Sequence, residues 1–262
     1  MFEIQYLVIG IVQGITEFLP ISSSAHLVLI AELTNWDDQG IFTDIAVHVG
    51  TLGAVIVYLL KDIKIIFLDF FLFKKDNSNY FFLKIILATL PAIVIGLIIY
   101  EYFILYLRNL AVIAWASIIF GIILYFADRL SESTKKWQEL NFSQVFLIGL
   151  WQSLAFIPGA SRAGVTITGA RILNIKRDSA ALFSMLLSIP IILASLTLSL
   201  FDFYLMESIE INLSQALFSA FIAFITALIS IHTMMRILQF TNFNIFIVYR
   251  IILGIVLLVF YG

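Results

Sequence analysis

The chain has 262 residues, 62% apolar and only 12% charged, with a mean hydropathy of +1.07. A soluble domain has no use for so much apolar surface. The apolar segments are continuous, not alternating as barrel strands do, so the composition points to a polytopic all-α membrane protein. The formal net charge of -2 selects no class of partner, and the absence of cysteine excludes disulfides and thiolate metal sites.

The N-terminus has no basic n-region and no small-residue cleavage site, so no cleaved signal peptide is expected and the first helix should begin close to Met1. The first apolar region, about 2–34, is interrupted by Glu17-Phe18-Leu19-Pro20-Ile21-Ser22-Ser23-Ser24-Ala25-His26. Three apolar stretches follow, at about 44–60, 81–103 and 110–128. A second interrupted region, about 143–173, contains Phe156-Ile157-Pro158-Gly159-Ala160-Ser161-Arg162-Ala163-Gly164, and stretches at about 179–201, 213–236 and 243–261 complete the chain. Each of the six uninterrupted stretches is close to the roughly 17–25 residues that cross a bilayer. The halves of the interrupted regions are too short, so each region is expected to form a re-entrant helix hairpin rather than a kinked spanning helix. Lys61, Lys64, Lys74, Lys75, Lys84, Arg129, Lys135, Lys136, Arg171, Lys176, Arg177 and Arg236 fall on one side of this arrangement. Arg108 with Glu32, Asp37, Asp38, Asp202, Glu207 and Glu210 falls on the other. The excess of Lys and Arg marks the cytoplasmic side, which puts both termini and the first hairpin outside and the second hairpin inside.

With Pro20 aligned to Pro158, Phe18 falls on Phe156 and Ser23 on Ser161. Each half then reads as a broken hairpin followed by three spans, and three spans invert the second copy. The expectation is one integral membrane domain, 1–262, built from inverted repeats at about 1–128 and 143–262, with its short helix ends meeting near the bilayer midplane.

Ionisable groups at membrane depth are costly and usually functional. Serine favours the N-cap position, so helices should restart after Pro20 and after Ser161, each offering free N–H groups and a positive dipole end to an anion. Arg162 suits bidentate phosphate binding, and a salt bridge to Glu17 is its alternative partner. Glu17 shares a helix face with Gln13 and can serve as a general base or hold a divalent cation, Mg or Ca. His26, three residues after Ser23, can activate that hydroxyl or be phosphorylated itself. Ser22 and Ser24 suit caps or phosphate contacts, Gly159 and Gly164 allow close approach of a ligand, and Ser161 and Thr166 complete the substrate-binding set. Asp44 and His48 suit a structural or portal role, Thr168, like Thr166, either the lining of the pocket or a back-bond to its own helix, Gly50, Gly53 and Ala54 close helix packing, and Arg250 an internal or snorkelling role. No P-loop, zinc motif or nucleic-acid patch is present.

These residues resemble the bacitracin-resistance type of undecaprenyl-diphosphatase. The resemblance rests on Gln13-Gly14-Ile15-Thr16-Glu17-Phe18-Leu19-Pro20-Ile21-Ser22-Ser23 with His26, and on Pro158-Gly159-Ala160-Ser161-Arg162-Ala163-Gly164, and it covers essentially the whole chain. It implies an enzyme of the bacterial inner membrane that hydrolyses undecaprenyl diphosphate to the monophosphate and phosphate, recycling the carrier lipid of cell-wall synthesis. Bacitracin then competes for the same substrate, the pocket opens to the periplasmic side, and a homodimer is compatible with it. The resemblance also implies that Glu17, Ser23, His26 and Arg162 carry the chemistry, with Ser23, His26 or a directed water as nucleophile. Gln13 and Ala163 stand where relatives carry Glu and Ser, removing one acid group and one hydroxyl. The rival reading is a lipid or anion transporter of the same inverted-repeat architecture.

Overall fold

The computed structural model describes residues 4–34, 36, 40–72, 80–102, 109–205 and 212–261. Lys74, Lys75, Arg108, Asp37, Asp38, Glu207 and Glu210, used above to orient the chain, lie outside them. Among the described residues the fold is helical, with one isolated parallel bridge between Lys135 and Ile175. The first half comprises α1 (Ile4–Thr16), α2 (Ser23–Thr34), α3 (Gly40–Tyr58), α4 (Leu60–Leu72), α5 (Phe81–Tyr102) and α6 (Leu110–Leu130). The second comprises α7 (Phe142–Ser153), α8 (Arg162–Ile172), α9 (Arg177–Leu205), α10 (Leu213–Phe240) and α11 (Asn244–Tyr261).

The helices α3, α5, α6, α9 and α10 are long and apolar enough to cross a membrane, which makes this a multi-pass membrane protein. The last expected span becomes α11, whose apolar part, Asn244–Phe260, falls in a shorter class. Both interrupted regions are broken as read. α1 stops at Thr16 and α2 starts at Ser23; α7 stops at Ser153, passes through a 3-10 turn at Leu154–Phe156, and α8 starts at Arg162. The short α4, separated from α3 by a turn at Leu59, was not anticipated.

Packing between the halves is reciprocal. α1 lies along α10 and α7 along α5, so the first arm of each broken region rests on the second long helix of the other half. α6 packs against α11, and α3 against both α9 and α10. Small residues make these approaches possible. A Cβ on Gly10 would sit 2.7 Å from the Ser219 carbonyl of α10, and one on Gly149 would sit 2.6 Å from the Ala88 carbonyl of α5.

The two second arms differ. Every residue of α8 from Ala163 to Arg171 is buried, and the small side chains of Ala163, Gly164, Gly169 and Ala170 let α6, α7 and α9 close around it. α2 is peripheral, and Ala25 is its only fully buried residue among those described. At the end of α8, Arg171 is a core residue rather than a loop cation. Its Nε donates to Asp128 Oδ1 at 2.8 Å, the same oxygen accepts from Arg177 Nε at 2.9 Å, and Arg171 also donates to Ser133 Oγ and the Ile175 carbonyl. This ties the end of α6 to the junction of α8 and α9. Lys84 is likewise buried, with its ammonium donating to the Gln138 carbonyl at 2.9 Å.

Gly50 and Gly53 separate under this packing. A Cβ at Gly50 would run into the Ala220 backbone carbonyl, whereas one at Gly53 would meet only the Phe224 ring at 3.4 Å. Gly50→Val is therefore expected to cost about 1–3 kcal/mol, the usual range for overpacking. Thermal unfolding in detergent should show this loss, with Gly53→Ala melting close to the parent.

Candidate active site

The two breaks are built alike. Ser22, immediately before α2, has φ 74°, and Ser161, immediately before α8, has φ 67°. Left-handed backbone at a non-glycine residue costs about 1–3 kcal/mol and persists only where the surroundings impose it. The backbone therefore pairs Ser22, not Ser23, with Ser161, because the second break carries one more residue between its proline and its helix. The Ser161 hydroxyl accepts from the Gly164 N–H at 3.2 Å and donates to the Leu19 carbonyl at 3.4 Å, so it caps its own helix and ties it to the other break.

Glu17 lies at the end of α1, in the turn of the first break, and gathers partners from both halves. Its Oε2 accepts from Gln13 Nε2 at 2.9 Å and from Ser23 Oγ at 3.1 Å. Its Oε1 accepts from Arg162 at 3.0 Å. Arg162 also donates to the Ser184 carbonyl at 3.1 Å and lies 5.7 Å from the centre of the Phe18 ring. Two of its five N–H donors are thus used and three remain for an anion. The side chains of Arg162 and Glu17 keep 13% and 9% exposure, enough for a ligand to reach them. Behind them, Thr166 bonds back to the Arg162 carbonyl and meets Ser184 Oγ at 2.6 Å.

His26 does not join Ser23. Its Nδ1 lies 2.7 Å from the Ser22 carbonyl, and its Nε2 lies 2.7 Å from the Tyr249 hydroxyl. The Ser23 proton points to Glu17 instead. Ser24 is exposed and meets only Ser22 Oγ, at 3.2 Å. The glycines serve the protein's own packing: a Cβ at Gly159, where φ is +93°, would overlap the Ile113 carbonyl, and one at Gly164 would lie 2.8 Å from the Arg250 guanidinium. Away from the site, His48 Nδ1 donates to the Asp44 backbone carbonyl, and Thr168 bonds back to the Gly164 carbonyl.

Arg250 is fully buried in α11. It donates to the carbonyls of Ser117 (3.1 Å), Pro20 (3.4 Å), Gly159 (2.9 Å) and Ala160 (2.8 Å). Both breaks and α6 are therefore held by one side chain. Among the described residues Arg250 has no carboxylate partner. Arg162, Arg250 and Glu17 together leave one net positive charge, to which two helix N-termini add, so the site favours an anion. Of the two roles expected for Arg250 the structure shows the internal one, and the available signal was an arginine with no acidic residue one helical turn away.

Both Glu17 oxygens already accept hydrogen bonds, and Gln13 Oε1 is buried with no hydrogen-bond partner. No group of three His, Asp or Glu side chains converges among the described residues. A divalent ion at this place would have to take most of its shell from phosphate oxygens and water, as Mg²⁺ does, because no cage of protein ligands is offered among the described residues.

Residues 6–256 match the family model described as bacitracin resistance protein BacA. The chain is 37% identical over 258 residues to the undecaprenyl-diphosphatase of Idiomarina loihiensis, covering 97% of each chain. It is 42% identical over 263 residues to that of Roseobacter denitrificans, again with 97% of each chain covered. With the enzyme of Saccharophagus degradans the identity is 41% over 249 residues, covering 94% of this chain and 93% of the relative.

Replacing Arg250 by methionine strands buried carbonyls at both breaks, each costing about 1–3 kcal/mol. Arg250→Met should lower the melting temperature in detergent more than Arg162→Met does, because Arg162 makes a single backbone contact.

Proposed function

The chain belongs to the bacitracin resistance protein BacA family, and from that premise we infer that it is an undecaprenyl-diphosphatase, hydrolysing the lipid diphosphate to its monophosphate and phosphate. The observation that carries the chemistry is the Ser23–Glu17–Arg162 chain, which joins a hydroxyl, a carboxylate and a guanidinium from two breaks within hydrogen-bond distance.

The proposed reaction uses each group in its observed posture. The diphosphate enters beside α2, the open side of the site, and its terminal phosphate takes the free donors of Arg162 and the N-terminal amides of α2. Ser23 Oγ attacks the terminal phosphorus and its proton passes to Glu17 Oε2. The bond from phosphorus to the bridging oxygen breaks, and undecaprenyl phosphate leaves. Water then takes the place of the Tyr249 hydroxyl at His26 Nε2 and attacks the seryl phosphate, giving that nitrogen its proton; the bond from phosphorus to Ser23 Oγ breaks as Ser23 recovers its proton from Glu17, phosphate departs, and His26 releases its proton to solvent. Arg162 stabilises charge on the equatorial oxygens in both steps. A divalent cation held by Glu17 and Gln13 Oε1 would neutralise phosphate charge when bound.

The reciprocal packing of the halves supports an inverted repeat, 1–128 and 143–262, with two re-entrant hairpins and α11 as a sixth span. The Lys and Arg distribution supports a plasma-membrane enzyme with its site open to the periplasm. There it meets the diphosphate that bacitracin sequesters. All groups used come from one chain, so a homodimer is compatible with activity but not needed for it.

Two measurements test this reading. Arg162→Ala should lower kcat about 10²–10³-fold in a phosphate-release assay with purified, folded protein. Substrate labelled in the terminal phosphate should leave an acid-stable adduct that Ser23→Ala abolishes; an acid-labile adduct would transfer the nucleophile to His26, and no adduct would transfer it to water.

A further inference from the structure

Tyr249 holds Nε2 of His26, the nitrogen that the reaction inferred above needs as a base. We propose that Tyr249 is the positioning residue of His26, holding the imidazole in the Nδ1–H tautomer with Nε2 as its basic nitrogen until water displaces the phenol. The proposal deepens the function inferred above and rests on His26 taking part in it.

The hydrogen-bond roles follow from donor chemistry. A carbonyl only accepts, so His26 Nδ1, 2.7 Å from the Ser22 carbonyl, carries a proton. In the neutral ring Nε2 is then an acceptor, and the Tyr249 hydroxyl at 2.7 Å donates to it. If Nε2 takes a proton, the same hydroxyl can turn and accept, because a phenol does both. The contact therefore survives both protonation states, which an amide or ammonium partner would not allow. The rings are parallel within 3°, with centroids 5.6 Å apart.

The imidazole is thus oriented without a carboxylate. On one side stands the carbonyl of Ser22, whose direction is set by its left-handed backbone. On the other stands a phenol whose chain neighbour, Arg250, is locked to both breaks. Tyr249 and Arg250 therefore register α11 against the first break from two directions: Arg250 is fully buried, and Tyr249 is 45% exposed. An orienting partner of this kind typically changes activity about 10–100-fold when lost.

The test uses the purified full chain in detergent with Tyr249→Phe, His26→Asn and the double variant, each checked for an unchanged melting temperature and elution profile. Nitrogen NMR of labelled histidine should show the Nε2 resonance of His26 moving in Tyr249→Phe while its Nδ1 resonance stays. Phosphate release should fall about 10-fold in kcat with little change in KM, and Tyr249→Phe should add nothing in the His26→Asn background. An unmoved Nε2 resonance, or a loss that multiplies with that of His26→Asn, overturns the proposal. Full activity of His26→Asn overturns the role given to His26 in the reaction and this proposal with it, while a shifted Nε2 resonance would still establish the contact.

Discussion

In hydrocarbon, an unwound stretch of backbone is tolerated only where protein supplies its missing hydrogen-bond partners. This chain unwinds twice, and Arg250 answers both interruptions. One guanidinium accepts the burden of Pro20 from the first break, Gly159 and Ala160 from the second, and Ser117 from α6. A guanidinium suits the task because its donors form a rigid fork and do not lose their charge by ordinary titration. The strained serines, the two helix starts and the distance between Glu17 and Arg162 all depend on the breaks being held in this way.

Two arginines therefore divide the labour. Arg250 has its donors turned to backbone and no access to solvent, so it shapes the site and adds its charge at a distance. Arg162 keeps three donors and some exposure, so it can meet a ligand directly. Glu17 balances only one of them. A site in this state is prepared for an anion before the anion arrives, which is the condition for electrostatic stabilisation without reorganisation. The contrast between α8 and α2 adds direction: α8 is enclosed and rigid, while α2 offers the hydroxyl and the imidazole from the periphery.

Much of this was legible in the chain. The length and position of the apolar runs, the two Pro/Ser breaks, and the shared helix face of Glu17 and Gln13 all follow from local rules: bilayer thickness, proline's missing donor and i,i+4 spacing. The same rules mislead where a residue's partner is remote. Ser23 and His26 are one helical turn apart, yet Ser23 turns back to Glu17 and His26 forward to Tyr249, 223 residues away in sequence. Gly159 and Gly164 suit a ligand by composition, but Ile113 and Arg250 occupy their space. Arg171 counts as a loop cation by position and is a buried partner of Asp128.

The sequence by itself determined the membrane class, the helical character, the two breaks and the gathering of ionisable groups at them, because these depend on the composition and backbone preferences of neighbouring residues. Only the tertiary structure decided which group each side chain meets, and that α11 holds the breaks through Arg250 and meets His26 through Tyr249. Those outcomes depend on helices from opposite halves packing side by side, and the direction of a side chain across such an interface is set by the backbone it meets, not by its neighbours in the chain.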